Sequence, residues 1–173
     1  GPVLRLFDPE SDGVALHAVF GDEDCCTYLA DPATKSAAET VSLLKAWNKG
    51  AEETTWAIVE RADGEALGRA TIILRGRNIW EIGIMLAPAG QGRGLATAAL
   101  AEIIDIGFDR LGARRIFADI DDENAASIRL FERLGFTREG FLRANWETHI
   151  GVRHSVIMGL VNTDPRPWRT AAG

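Results

Sequence analysis

The chain has 173 residues, enough for one domain with a complete hydrophobic core. Its 46% hydrophobic and 25% charged content are ordinary for a soluble globular protein, and no run of about 18 apolar residues suggests a membrane span. The formal net charge of −6 argues against a nucleic-acid partner and suits a small or cationic one.

Gly1-Pro2 reads as a protease scar and no secretory signal pattern follows, so a cytoplasmic protein is expected. Val3 to Phe7 reads as a short strand, after which DPESDG opens a helix through Ala15, Leu16 and Val19. The adjacent Cys25 and Cys26 lack metal-ligand or disulfide spacing and read as small apolar residues. A second helix starts at the capping box Ser36-Ala37-Ala38-Glu39, carries Val41, Leu43, Leu44 and Trp47, and stops at Gly50. Thr54 to Arg61 reads as a strand with Trp56, Ile58 and Glu60 on one face. A turn at Ala62-Asp63-Gly64-Glu65 returns the chain into a strand holding Leu67 and Ala70 to Leu74. The turn RGRN then leads to a third meander strand, Ile79 to Leu86.

The second half alternates strands with helices. A helix from about Gly94 to Leu111 carries Leu95, Ala98, Ala99, Ile103, Ile106 and Phe108, and Arg115 to Ile120 is the next strand. A short helix, Ala125 to Leu134, is stopped by Gly135, and strands over Phe136 to Arg143 and Val152 to Leu160 follow. The passage from 79 to 120 implies one parallel pair inside a mostly antiparallel sheet. Residues 3–162 are expected to form a single domain, with 163–173 a tail whose Trp168 docks on it.

The junction EIGIMLAPAGQGRGLATAAL combines a strand end, several glycines and a helix start. The first turn of a helix has unpaired N–H groups and a partial positive charge, which suit an anion. Glycine removes the side chains that would keep phosphate away from such backbone. Gly92 and Gly94 lie at this helix start, with Arg93 and the Thr97 hydroxyl nearby. The alternative is a turn that needs glycine only for its geometry. Neither the Walker A pattern nor a complete Rossmann fingerprint is present.

Gln91-Gly92-Arg93-Gly94-Leu95-Ala96 instead matches Q/R-x-x-G-x-G/A, the pyrophosphate loop of the GNAT acetyltransferase superfamily. Asn124-Ala125-Ala126-Ser127 followed by the stretch from Leu130 to Gly140 resembles N-x-x-S … G-F-x-x-E-G of its RimJ/RimL-like branch. The opening LRLFDPESDGVALHAVF, with EIGIMLAP and LRANW, is similar to the same branch.

The resemblance implies an α/β (α+β) GNAT fold: a mixed, mainly antiparallel seven-strand sheet, about four flanking helices, and a splay between strands four and five. It implies acetyl-CoA as cosubstrate, no metal, and an amine acceptor; the protein would be a monomer or homodimer. Backbone groups of Met85 and Leu86 would pair with the pantetheine arm, and Gln91, Gly92, Arg93, Gly94, Leu95, Ala96 and Thr97 would hold the pyrophosphate. Asn124, Ser127, Phe131 and Arg133 complete the implied cofactor contacts. The Leu86 N–H is the implied oxyanion donor. Phe131 stands where many superfamily members have a tyrosine as acid; the RimL-like enzymes instead use the serine of N-x-x-S, so the resemblance implies Ser127 as the proton donor, against a plain role at the helix start.

Glu81 shares its strand face with Gly83 and Met85 and is the first candidate base, with Glu147 and His154 as further candidates. His154 stands where the branch often has aspartate, and it reads as a polar packing residue ahead of a base. A primary amine acceptor is implied, a protein N-terminus or a small amine such as a polyamine or antibiotic. The non-enzymatic alternative is an acyl-CoA-binding sensor.

Overall fold

The computed structural model describes residues 2–47 and 52–170, so the expected helix stop at Gly50 lies outside the described residues. Strand β1 (Leu4–Leu6) pairs antiparallel with β2 (Glu53–Ile58). Between them the single expected helix breaks at Leu16 into α1 (Pro9–Ala15) and α2 (His17–Phe20), followed by α3 (Ala37–Trp47). Asp8 caps α1 by accepting the Glu10 N–H at 3.2 Å. The buried Asp12 takes two bonds from the Arg5 guanidinium at 2.8 and 2.9 Å and so ties α1 to the edge strand. At α3 the Glu39 N–H donates to Ser36 Oγ at 3.1 Å, but the Glu39 carboxylate reaches back to the Lys35 N–H at 2.8 Å. The box forms with its return bond one residue further out.

The remaining strands are β3 (Gly68–Gly76), β4 (Ile79–Leu86), β5 (Arg115–Asp121), β6 (Thr137–Thr148) and β7 (Gly151–Val161). They make one seven-strand sheet in the order β1-β2-β3-β4-β5-β7-β6. β4 and β5 are its parallel pair, joined over one face by α4 (Leu95–Asp109), as a parallel neighbour requires. The short α5 (Ala125–Arg133) leads from β5 to β6. This is the expected GNAT fold.

Strand alternation builds a core on each face. On one side Ile58, Ile72, Ile82, Ile116 and Met158 pack under α4 and α5. On the other, Ala57 and Val59 meet Leu16, Phe20 and Leu44 of the first three helices. The buried stripe of α4 is Leu95, Ala99, Leu100, Ile103, Ile104 and Gly107, rotated from the expected one; Ala98, Ile106 and Phe108 are only half-buried. Gly107 explains the rotation: a Cβ there would lie 2.7 Å from Ile116 Cδ1, so helix and sheet touch at this point.

Two strands differ from the expected bounds. β2 ends at Ile58 rather than Arg61, where the chain turns through Gly64, whose N–H donates to the Arg61 carbonyl at 2.8 Å. β6 runs on to Thr148 instead of Arg143 because a register shift between Leu142 and Trp146 lets it bend and continue. Ala144 takes φ 49° in that bend, which a reading of alternation alone interprets as a strand end. Trp168 docks as expected: it packs on the α4-side core and its Nε1–H donates to Asp105 Oδ2 at 3.1 Å.

Candidate active site

β4 and β5 pair at Ile79–Arg115, Trp80–Ile116 and Glu81–Phe117, and then separate. Beyond this point a cleft of about 310 Å³ opens between Gly83 to Leu86 on one side and Ala118 to Asp121 on the other. The Ala87 N–H donates to the Leu67 carbonyl at 2.7 Å. Successive residues of an antiparallel ladder turn their N–H groups to alternate sides, so the Leu86 N–H faces the open cleft. Met85 lies in the other half of the alternation, with its side chain against the helical core of α1–α3. The strand's broken pairing leaves backbone donors and acceptors of β4 open to a ligand.

At the cleft's outer end Pro88–Gly90 makes a 3₁₀ turn, and Gln91 Nε2 donates to the Leu86 carbonyl at 3.4 Å. Gly92 and Gly94 both take left-handed backbone, φ 76° and 74°. A Cβ on either would meet no protein atom within 4 Å, so the side-chain space above both is open. Among the described residues the N–H groups of 92–97 donate to no protein acceptor, and Gly94 caps α4 without a side-chain bond. The Leu95 side chain is buried in the core, so this residue offers the cleft only its backbone, while Thr97 is exposed. Arg93 turns away, its guanidinium bonded to Glu60 and to the Ala89 carbonyl.

The N-terminus of α5 forms the cleft's inner wall. Asn124 Oδ1 accepts the Ser127 N–H at 3.3 Å and caps the helix. The Ser127 hydroxyl lines the cleft and makes no hydrogen bond among the described residues. Phe131 lines it too, buried edge-to-face on Phe136 with centroids 5.1 Å apart. Arg133 is exposed in the last turn of α5 and does not line the cleft. Cys25 does line it, but burial, with Asp22 adding to the effect, pushes its thiol up to about 11. Such a thiol supplies almost no thiolate at neutral pH.

A second cavity of about 230 Å³ adjoins the first, sharing Tyr28, Leu29, Asp119 and Asp121 with it. Tyr28, the chain's single tyrosine, sits in the segment between α2 and α3 and donates its hydroxyl to the Glu123 carbonyl at 3.2 Å. Three carboxylates line the second cavity: Glu81, Asp119 and Asp121. Glu81 is bonded to Arg75 Nε at 2.8 Å. Asp121 is held by Arg153 through two bonds of 2.9 Å, and this guanidinium keeps its carboxyl below the usual range.

Asp119 Oδ2 accepts from Trp146 Nε1 at 3.0 Å and Asn145 Nδ2 at 3.2 Å. His154 lines the same cavity, but its Nδ1 accepts the Ala144 N–H at 2.8 Å. In the neutral ring Nε2 then carries the proton, so no free lone pair is left for a base. Glu147 is exposed and lines neither cavity, whereas its neighbours Trp146 and Thr148 line the second.

Asp119 and Asp121 escape a reading by motif. Their signal is the alternation in Ile116-Phe117-Ala118-Asp119-Ile120-Asp121, which buries every second residue and puts both acids on the face of Glu81.

Residues 3–137 match the acetyltransferase (GNAT) domain family. Among curated relatives the chain is 27% identical over 139 residues to an uncharacterized N-acetyltransferase, YoaA of Bacillus subtilis, covering 78% of each chain. A GCN5-related N-acetyltransferase from Brucella melitensis superposes with a TM-score of 0.82 at 26% identity, over 92% of this chain and 75% of the other. Spermidine N-acetyltransferase from Vibrio cholerae, solved with CoA and spermine, shares the fold at a TM-score of 0.76 and 23% identity, covering 92% and 95%.

Proposed function

The chain belongs to the acetyltransferase (GNAT) family and is an N-acetyltransferase, and from that premise we propose that it transfers acetyl from acetyl-CoA to a primary amine. We place it in the RimJ/RimL-like branch on the Asn124-to-Ser127 and Gly135-to-Gly140 segments. The observation that carries the reading is the run of unpartnered N–H groups from Gly92 to Thr97 at the mouth of the β4–β5 splay. The open Cβ positions of Gly92 and Gly94 fit a pyrophosphate against that backbone. Gln91, Leu95 and Ala96 shape the same loop. Arg93, engaged by Glu60, contributes its backbone there rather than its charge.

In this reading the pantetheine arm lies along Met85 and Leu86, with Phe131 as an apolar wall and Asn124 holding the helix that presents Ser127. The Leu86 N–H stabilises the oxyanion of the tetrahedral adduct. Ser127, with its hydroxyl unengaged, gives the departing thiolate its proton. The half-buried Cys25, its thiol held in the protonated form, supports direct transfer rather than an acetyl-cysteine intermediate. The acceptor enters by the second, acid-lined cavity. Polyamines, other small amines and protein N-termini are the classes to test, and the Vibrio relative's complex with spermine favours beginning with polyamines. Thiol release from acetyl-CoA, measured across a panel of these amines, should be amine-dependent. Binding of acetyl-CoA without release for any amine would instead support the sensor.

A further inference from the structure

The acceptor cavity holds three acids, but their charges are not equivalent. Glu81 has Arg75 at 2.8 Å and Asp121 has Arg153 at 2.9 Å. Asp119 has no cationic partner among the described residues. It is therefore the one lining carboxylate whose charge is left uncompensated. Its two donors, the Trp146 indole and the Asn145 amide, are neutral and both bind Oδ2. They fix the carboxylate plane and leave Oδ1 free.

Its place in the sheet matters equally. Phe117 is the last β5 residue paired to β4, and Asp119 follows two residues later on the same face. Asp119 thus stands where the strands part, and it lines both the acyl-side cleft and the acceptor cavity. Glu81, Asp119 and Asp121 are all on this face; Glu81 borders only the second cavity, and of the two acids that border both spaces Asp121 is the one held by Arg153.

We propose that Asp119, rather than Glu81, receives the acceptor's charge and its proton, and that the acceptor is accordingly a cationic primary amine. The proposal rests on the acetyl-transfer reading given above. An alkylammonium entering the second cavity pairs with Oδ1, which the Trp146 and Asn145 donors leave free. Asp119 takes one proton and passes it to water. The neutral nitrogen attacks the thioester carbonyl, the C–N bond forms and the C–S bond breaks. The nitrogen's second proton leaves on collapse of the adduct and reaches the thiolate through Ser127. Ammonium and thioester yield amide, thiol and one released proton.

The other titratable or charged groups facing this point are Glu81 with Arg75, Asp121 with Arg153 and Glu123, His154, and the Tyr28 phenol. The arginines neutralise the first two, and the Ala144 N–H occupies His154 Nδ1. Asp119 is the remaining acceptor of a proton.

The test uses 1,4-diaminobutane, n-butylamine and 4-aminobutyrate as probes with the intact protein. Wild type should prefer the two amines without a carboxylate. Asp119→Asn keeps an oxygen for Trp146 and Asn145 but removes the charge. It should lower kcat/KM for 1,4-diaminobutane about 10²-fold, the scale of a positioned base. Its acetyl-CoA affinity should stay within about twofold, and the rising limb of its pH–rate profile should move to higher pH as solvent base takes over. Asp119→Glu retains the charge, so it should keep the preference over 4-aminobutyrate at reduced kcat. A wild-type enzyme that works while Asp119→Asn keeps its rate and profile overturns the Asp119 assignment alone. Loss of the preference in Asp119→Glu overturns it too, even should Asp119→Asn not fold. Absence of thiol release by wild type with every amine overturns the acetyl-transfer reading and this proposal together.

Discussion

Gly94→Ala separates a ligand cradle from a merely strained turn. Gly94 sits at φ 74°, where a side chain is unfavourable for backbone reasons alone. That strain is about 1–2 kcal/mol for an L-residue. The new Cβ would touch no protein atom within 4 Å, so no packing loss adds to it. In a domain of this size the melting point should fall by about 2–8 °C. Ligand binding should fall for a different reason, since the methyl group enters the space through which phosphate approaches the N–H groups of 92–97. Losing one charge-assisted hydrogen bond costs about 1.5–3 kcal/mol, or roughly ten- to hundredfold in affinity.

Gly112 provides the matched control. It has φ 70° and equally open space, but lies in the loop after α4 and lines neither cavity. Gly112→Ala should show the same melting shift with unchanged acetyl-CoA affinity. Titration calorimetry and thermal melts of both variants decide the matter. Equal affinities for wild type and a folded Gly94→Ala would refute the cradle.

Ser127→Ala should lower kcat about 10²-fold with little change in acetyl-CoA affinity, because its proton is needed only as the thiolate leaves; a loss of less than about threefold would assign that proton to water. Arg153→Met should destabilise the protein near neutral pH, since it removes a charge-assisted pair with Asp121. Asp121 is depressed in the folded state, so the pair's contribution is present above the unfolded carboxyl value of about 3.9 and is lost as pH falls through the folded one. Denaturant melts of wild type and Arg153→Met should therefore converge in acid, and a difference that persists there would contradict the assignment.

The open glycine loop and helix start of the proposed acyl side were legible in the sequence because backbone chemistry dictates them. A phosphate cradle needs glycine and a helix start, and Gly92 to Thr97 carry that need in consecutive residues. Asn124 and Ser127 were equally visible as a cap and first-turn pair. The acceptor side was not, because its groups depend on which charges meet across strands. Glu81 stands on the expected face, yet only the fold brings Arg75 to it, and only the fold turns Arg93 toward Glu60. Asp119 depends on Trp146 and Asn145, which lie 27 and 26 residues away and reach it because β6 continues past its bend. The bend itself, with Ala144 left-handed and its N–H on His154, has no signature in local alternation. The core followed strand periodicity closely, while the turn of α4 was set by contact at Gly107.

The central claim is that unpaired backbone at the β4–β5 splay holds acetyl-CoA. Amide hydrogen exchange, measured with and without saturating acetyl-CoA, tests it most directly. The N–H groups of 92–97 donate to no protein acceptor among the described residues, and the Leu86 N–H faces the side on which β4 has parted from β5; all should exchange quickly in the free protein, then slow markedly when ligand accepts from them. Exchange there that is unaffected by saturating acetyl-CoA, with protection arising elsewhere, would contradict it.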